Sequence, residues 1–186
     1  MLRMFRIGRL GRIPVFAHWS VLAIVGGFLA VSIGSLAIGL AAASSYFGLI
    51  LLHEGGHAIA AARVRCPVFR IDLFPLHGRC VFDEPYDEID HIKISWGGVL
   101  AQLVIAVPLV AFGLVHGLTE IQAVNAVVAI LGFFSLFMVV LNLIPVFRMD
   151  GEIAWRILPF LAQSVRSRLH SRRRRGKLKV IRPDRT

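Results

Sequence analysis

Residues 13–53 contain no Asp, Glu, Lys or Arg, and no other feature of the 186-residue chain limits its fold so severely. A run of 41 uncharged residues is about twice what one helix needs to cross the roughly 30 Å of bilayer hydrocarbon. One span does not absorb it. Two spans joined by a tight turn do, and Gly34-Ser35 is the natural place for the turn. The sequence therefore predicts a first helix near residues 15–33 and a second near 36–64. A secretory leader is the competing reading, because Arg3, Arg6, Arg9 and Arg12 precede the run and small residues follow it. The apolar stretch is about twice the 7–15 residues of a leader's core, so a retained helix is expected.

The rest of the chain supports a membrane protein. Hydrophobic residues make up 56% and charged residues 17%, against about 25% charged in soluble domains, which leaves too little polar surface to clothe a globule. Between residues 94 and 146 the sole Asp, Glu, Lys or Arg is Glu120. It sits in a Thr119–Gln122 capping-box pattern, which divides this stretch into helices near 96–116 and 120–144. Pro145 fits the end of the latter. A shorter amphipathic piece, 152–161, is too short to span.

Residues 65–93 differ, with six acids among mixed charges. Phe69, Ile71 and Leu73 alternate with Arg70 and Asp72, and a turn follows at Pro75–Gly78, so a small β-hairpin near 66–83 is expected outside the hydrocarbon. The fold class is an all-α polytopic membrane protein of about four spans, with one hairpin between the second and third. Two cysteines, Cys66 and Cys80, are too few for a disulfide framework and read as reduced thiols.

Net charge is +10, but residues 164–186 hold ten Lys/Arg and one acid, so a core of residues 1–163 carries only +1. The N-terminal arginines, the 63–79 basic segment and the tail must lie on one side by the positive-inside bias. Four spans achieve this and put both termini in the cytosol. The polybasic tail has no aromatic residue for base stacking, so anionic lipid is its expected partner and nucleic acid is not.

Within the second helix stands His53-Glu54-Gly55-Gly56-His57, an H-E-x-x-H string. Positions i and i+4 share a helix face, so both imidazoles can bind one Zn²⁺ while Glu54 is placed to take a proton from water. Ionisable groups in an otherwise uncharged membrane helix are costly and mark function. A hydrolytic zinc site needs a third protein ligand. Asp150, just past the end of the fourth helix, is expected at the same depth as the histidines. His18, His77, His91, His116 and His170 show no partner pattern and read as interfacial or solvated.

The HEGGH string followed some ninety residues later by Asn142, Pro145, Asp150 and Gly151 in an N-x-x-P-x-x-x-x-D-G pattern resembles the site-2 protease family of intramembrane zinc metalloproteases. Ile13-Pro14-Val15, His18-Trp19-Ser20 and Phe74-Pro75-Leu76 are similar to further family segments. Where members often have G-P-x-x-N, this chain has Gly98-Val99-Leu100-Ala101-Gln102. The resemblance implies one zinc held by His53, His57 and Asp150, with Glu54 as catalytic base. It also implies Asn142 and Gln102 near the substrate backbone, and a transmembrane protein or peptide substrate cut near the cytosolic face, as in regulated intramembrane proteolysis. The length implies a near-minimal core without a PDZ or CBS module. Two other classes fit less well. A non-catalytic zinc-binding scaffold has no use for Glu54, and a metal transporter needs polar residues along several helices.

Overall fold

A computed structural model describes residues 4–146, 149–160 and 162. The basic tail expected to meet lipid lies outside the described residues. The chain runs β1 (Met4–Leu10), β2 (Ile13–His18), α1 (Val21–Val31), α2 (Leu36–Arg63), β3 (Val68–Leu73), β4 (Gly78–Phe82), α3 (Glu88–His116), α4 (Gln122–Val127), a π-helical stretch (Val128–Phe134), α5 (Ser135–Asn142) and α6 (Asp150–Ala154). Among the described residues three helical segments are long and apolar enough to cross a membrane: Leu36–Arg63, Glu88–His116 and the continuous Gln122–Asn142.

The N-terminal part differs most from expectation. Instead of a helix near 15–33, residues 4–18 form a hairpin and the helix starts only at Val21. Gly11, with φ of +60°, opens the two-residue link between paired Leu10 and Ile13, a conformation suited to glycine in a type II′ turn. Pro14 offers no N–H to a ladder, and β-branched Ile13 and Val15 favour extended backbone. Val15 and Ala17 are buried and pack with Leu49, Ile50, Ala58, Ile71 and Leu73. This core fixes β2 beside the middle of α2. Length explains why a strand suits. Six extended residues plus an 11-residue helix span about 36 Å, close to the roughly 42 Å of the 28-residue α2. The reversal falls where expected, with Gly34 at φ +99°.

The expected hairpin is present as β3 and β4, but it belongs to a larger sheet. The order is β1-β2-β3-β4, with β2 and β3 parallel through Val15–Ile71, Phe16–Asp72 and Ala17–Leu73. Asp72 is buried and bound by Arg70 and Arg79 at 3.2 and 3.0 Å. β4 is an edge strand.

α3 begins at Glu88, two turns before the expected 96, because Asp87 caps it by accepting from the Ile89 N–H at 3.2 Å. Glu88 and Asp90 suit the positive end of the helix dipole. The Thr119–Gln122 capping box does not form, and the cap position is Ile121. Thr119 bonds Asn125 instead. Its N–H and O–H donate to Asn125 Oδ1 at 2.8 and 3.0 Å, and Asn125 Nδ2 donates back to the Thr119 carbonyl at 2.8 Å. The fourth expected helix, 120–144, runs from Gln122 to Asn142 and carries the π-helical stretch.

α2 and α3 approach backbone to backbone. A Cβ on Gly97 would lie 2.6 Å from the Gly56 carbonyl oxygen, so this crossing tolerates no side chain on either helix. The small residues around Gly56 have this packing role.

Candidate metal centre

The i,i+4 spacing on α2 turns His53 and His57 to one side. Each ring is held from behind. His53 Nδ1 lies 2.9 Å from Gln102 Oε1, and His57 Nδ1 lies 2.7 Å from the Ile94 carbonyl oxygen. Both supports come from α3. A carbonyl oxygen only accepts, so His57 carries its proton on Nδ1, and with Oε1 as acceptor His53 does the same. Both Nε2 atoms are then bare lone pairs, and they face each other at 3.1 Å.

The chain's far end supplies the third group. Asp150 Oδ2 lies 3.0 Å from His53 Nε2 and 3.3 Å from His57 Nε2. Asp150 is positioned through α6. Trp155 Nε1 donates to the Leu143 carbonyl at 2.6 Å, and Trp96 Nε1 on α3 donates to the Ala154 carbonyl at 3.1 Å. Gly151 allows the chain to close up, since a Cβ there would sit 2.5 Å from the Ile144 carbonyl oxygen.

Three lone-pair donors with no proton between them repel unless a cation sits among them. Donors 2.0–2.1 Å from a tetrahedral zinc stand about 3.3 Å apart. The separations here are 3.0, 3.1 and 3.3 Å. His53, His57 and Asp150 therefore form a group that could hold a metal ion, and its nitrogen and carboxylate donors suit zinc. Backing of each imidazole by an acceptor is the usual support of a zinc ligand.

Glu54 is 6% exposed and points to the sheet. Its carboxylate accepts from the Cys80 backbone N–H on β4. It also fills the space over Gly78, where a Cβ would be 2.5 Å from Oε1. Burial, with the Glu54 and Cys66 charges adding to it, pushes the Cys80 thiol up to about 12. Both cysteines are free thiols, and Cys66 Sγ donates to the Asp83 carbonyl at 2.9 Å. Glu54, the two histidines and Asp150 line one cavity of about 440 Å³, together with Arg79, Met138 and Asn142.

Of the residues picked out in the sequence, His53, Glu54, His57, Asp150, Asn142 and Gln102 all meet at this cavity. Gln102 is 1% exposed, and its oxygen is engaged by His53 rather than left free for a substrate. Gly98 stands in the segment compared with G-P-x-x-N, but its role is not legible in the sequence. A Cβ there would lie 2.6 Å from His57 Nε2 and 2.8 Å from His53 Cε1. Trp96, Trp155, Ile94 and Gly78 were likewise missed. None carries a motif signal, because their roles are packing and backbone contact across distant segments.

No family model and no curated protein matches the sequence. The fold is similar to that of a solved structure, the site-2 protease from Methanocaldococcus jannaschii, with a TM-score of 0.66 over 83% of this chain and 71% of that one, at 22% identity. The fold is site-2 protease-like. At that identity the likeness is one of architecture, and the chemistry rests on the side chains just described.

Proposed function

We propose that the chain is an intramembrane zinc metalloprotease, a hydrolase that cuts peptide bonds of transmembrane or membrane-associated substrates near the cytosolic face. The observation that carries this reading is the meeting of His53, His57 and Asp150 donor atoms from α2 and α6, with Glu54 in the same cavity. In this reading the three residues hold one Zn²⁺ per chain. Bound zinc would supply a Lewis acid that polarises the scissile carbonyl and makes water a competent nucleophile. Glu54 takes the proton from the attacking water and returns it to the leaving amine. Gln102 keeps the His53 lone pair aimed at the metal, and Asn142 offers an amide to the substrate backbone.

A helical substrate must unwind before its peptide bonds can be reached, since each N–H and C=O is engaged within the helix. β4 is the sheet edge whose Gly78 and Cys80 abut Glu54, so an unwound segment added to that edge would pass beside the base. Both termini are assigned to the cytosol with the sheet, and the tail to anionic lipid.

The test is Glu54→Gln, assayed on a model transmembrane substrate in liposomes. This change keeps the size of the side chain and removes the base. Cleavage is expected to fall by at least about 100-fold while bound zinc stays at one per chain. Undiminished cleavage would refute the mechanism.

A further inference from the structure

A second cavity, lined by none of the residues that line the first, runs along the outside of the α2–α3 crossing. Its volume is about 590 Å³. The backbone contact at Gly56 and Gly97 leaves the floor shallow, and Ala60 and Ala101 keep it so. The walls change character along their length. At one end stand Arg63, in the last turn of α2, and Lys93 on α3. Away from that end the lining is uncharged, with Ile59, Leu100 and Val104 all largely exposed. From Lys93 to Val104 along the helix is about 16 Å, which is the depth of one bilayer leaflet.

Of the three cations at the polar end, one stands without an acid beside it among the described residues. Lys93 has one acid, Asp90, at 2.6 Å, in an exposed i,i+3 pair. Arg156 nearby is shared between Glu88 and Glu152. The Arg63 side chain has no ion-pair partner among the described residues. Trp96 lines the groove between the cations and the apolar part, where indoles settle at the headgroup boundary. Its Nε1 is committed to the Ala154 carbonyl, so the ring is fixed there.

We propose that this groove binds one anionic glycerophospholipid, its phosphate between Arg63 and Lys93 and an acyl chain along Leu100 and Val104. The lipid would sit against the crossing that supports His53 and His57 and would stabilise the α2–α3 pair. The site depends on the membrane setting of α2 and α3 and not on proteolysis.

The test uses the full chain in mild detergent, titrated with phosphatidylglycerol or with phosphatidylcholine of identical acyl chains, and read by native mass spectrometry. One phosphatidylglycerol should bind well above the level of phosphatidylcholine. Each cation beside a lipid phosphate contributes about five-fold in affinity, so Arg63→Gln with Lys93→Gln should lose roughly 25-fold. Val104→Trp, which fills the apolar end of the groove from an exposed position, should lose the adduct while both charges remain. Neutralising Arg172 to Arg175 should leave this one adduct in place, which separates it from lipid held by the tail. Unchanged circular dichroism of the variants certifies the fold. The proposal is overturned if the double variant keeps the adduct at wild-type affinity, or if phosphatidylcholine binds equally. It is also overturned if inorganic phosphate alone displaces the lipid, or if Val104→Trp instead converts a dimer to a monomer, which would make a second copy the occupant.

Discussion

Adding one methyl group at Gly98 is the sharpest perturbation of the centre. In Gly98→Ala the new Cβ falls 2.6 Å from His57 Nε2 and 2.8 Å from the Cε1 atoms of His53 and His57. Ordinary van der Waals contact begins near 3.4 Å, so the shortfall is about 0.6–0.8 Å against three ring atoms at once. The rings cannot swing away freely, because the Gln102 oxygen and the Ile94 carbonyl hold them from behind at 2.9 and 2.7 Å. If α3 retreats instead, the Gly56–Gly97 contact one residue away is lost. Metal–ligand distances tolerate about 0.2 Å, so a displacement near 0.7 Å takes at least one nitrogen out of bonding range. Loss of backing groups alone costs 10–100-fold in metal affinity, and a displaced ligand should cost at least about 100-fold. The strain of overpacking, about 1–3 kcal/mol, leaves the fold standing. The assay is zinc per chain in competition with a chromophoric chelator, with circular dichroism as the fold check. Gly48→Ala on α2, where a Cβ meets nothing within 4 Å, serves as the control and should bind zinc normally. If Gly98→Ala takes up zinc with wild-type affinity, the imidazoles do not stand where this reasoning needs them.

Other changes separate the parts of the site. Gly78→Ala puts a Cβ 2.5 Å from Glu54 Oε1, and no atom of either imidazole is among its nearest neighbours. Cleavage should drop at least about 10-fold with zinc content unchanged, and parallel loss of both would argue against separate roles. Gln102→Leu removes the acceptor behind His53 and should weaken zinc about 10–100-fold, measured by the same chelator competition, while Gln102→Glu, which keeps an acceptor, should weaken it less. The Cys80 thiol stays protonated until about pH 12, so iodoacetamide at neutral pH should label it far more slowly than a free thiol peptide; quantitative mass spectrometry of the Cys80 peptide reads this directly, and peptide-like labelling would contradict the burial beside Glu54.

How much of this was legible in the sequence depends on the kind of information each feature needs. Ligand identity needs only side-chain chemistry and helix periodicity. His53, Glu54 and His57 stood out because charge is so rare around them, and Asp150 because a third donor had to come from a helix end at matching depth. The N-terminal hairpin was not legible, because an uncharged run holding Ile13, Val15 and Phe16 has no amphipathic period to separate strand from helix. Only Gly11 and Pro14 mark the extended backbone, and neither outweighs the long uncharged run that points to a helix. The start of α3 was missed for the opposite reason. Its first two turns are polar, and apolarity marks where a helix meets lipid rather than where it begins. Most of what makes the centre work is space rather than chemistry. Gly98 leaves room for the imidazoles, Gly78 for the carboxylate, and Gly56 with Gly97 lets α3 come close enough for Ile94 and Gln102 to reach the rings. A glycine in a sequence is silent about which distant atom fills the place of its missing side chain. The donors of such a centre can therefore be read from one dimension, but the walls that fix their separations at 3.0–3.3 Å belong to three.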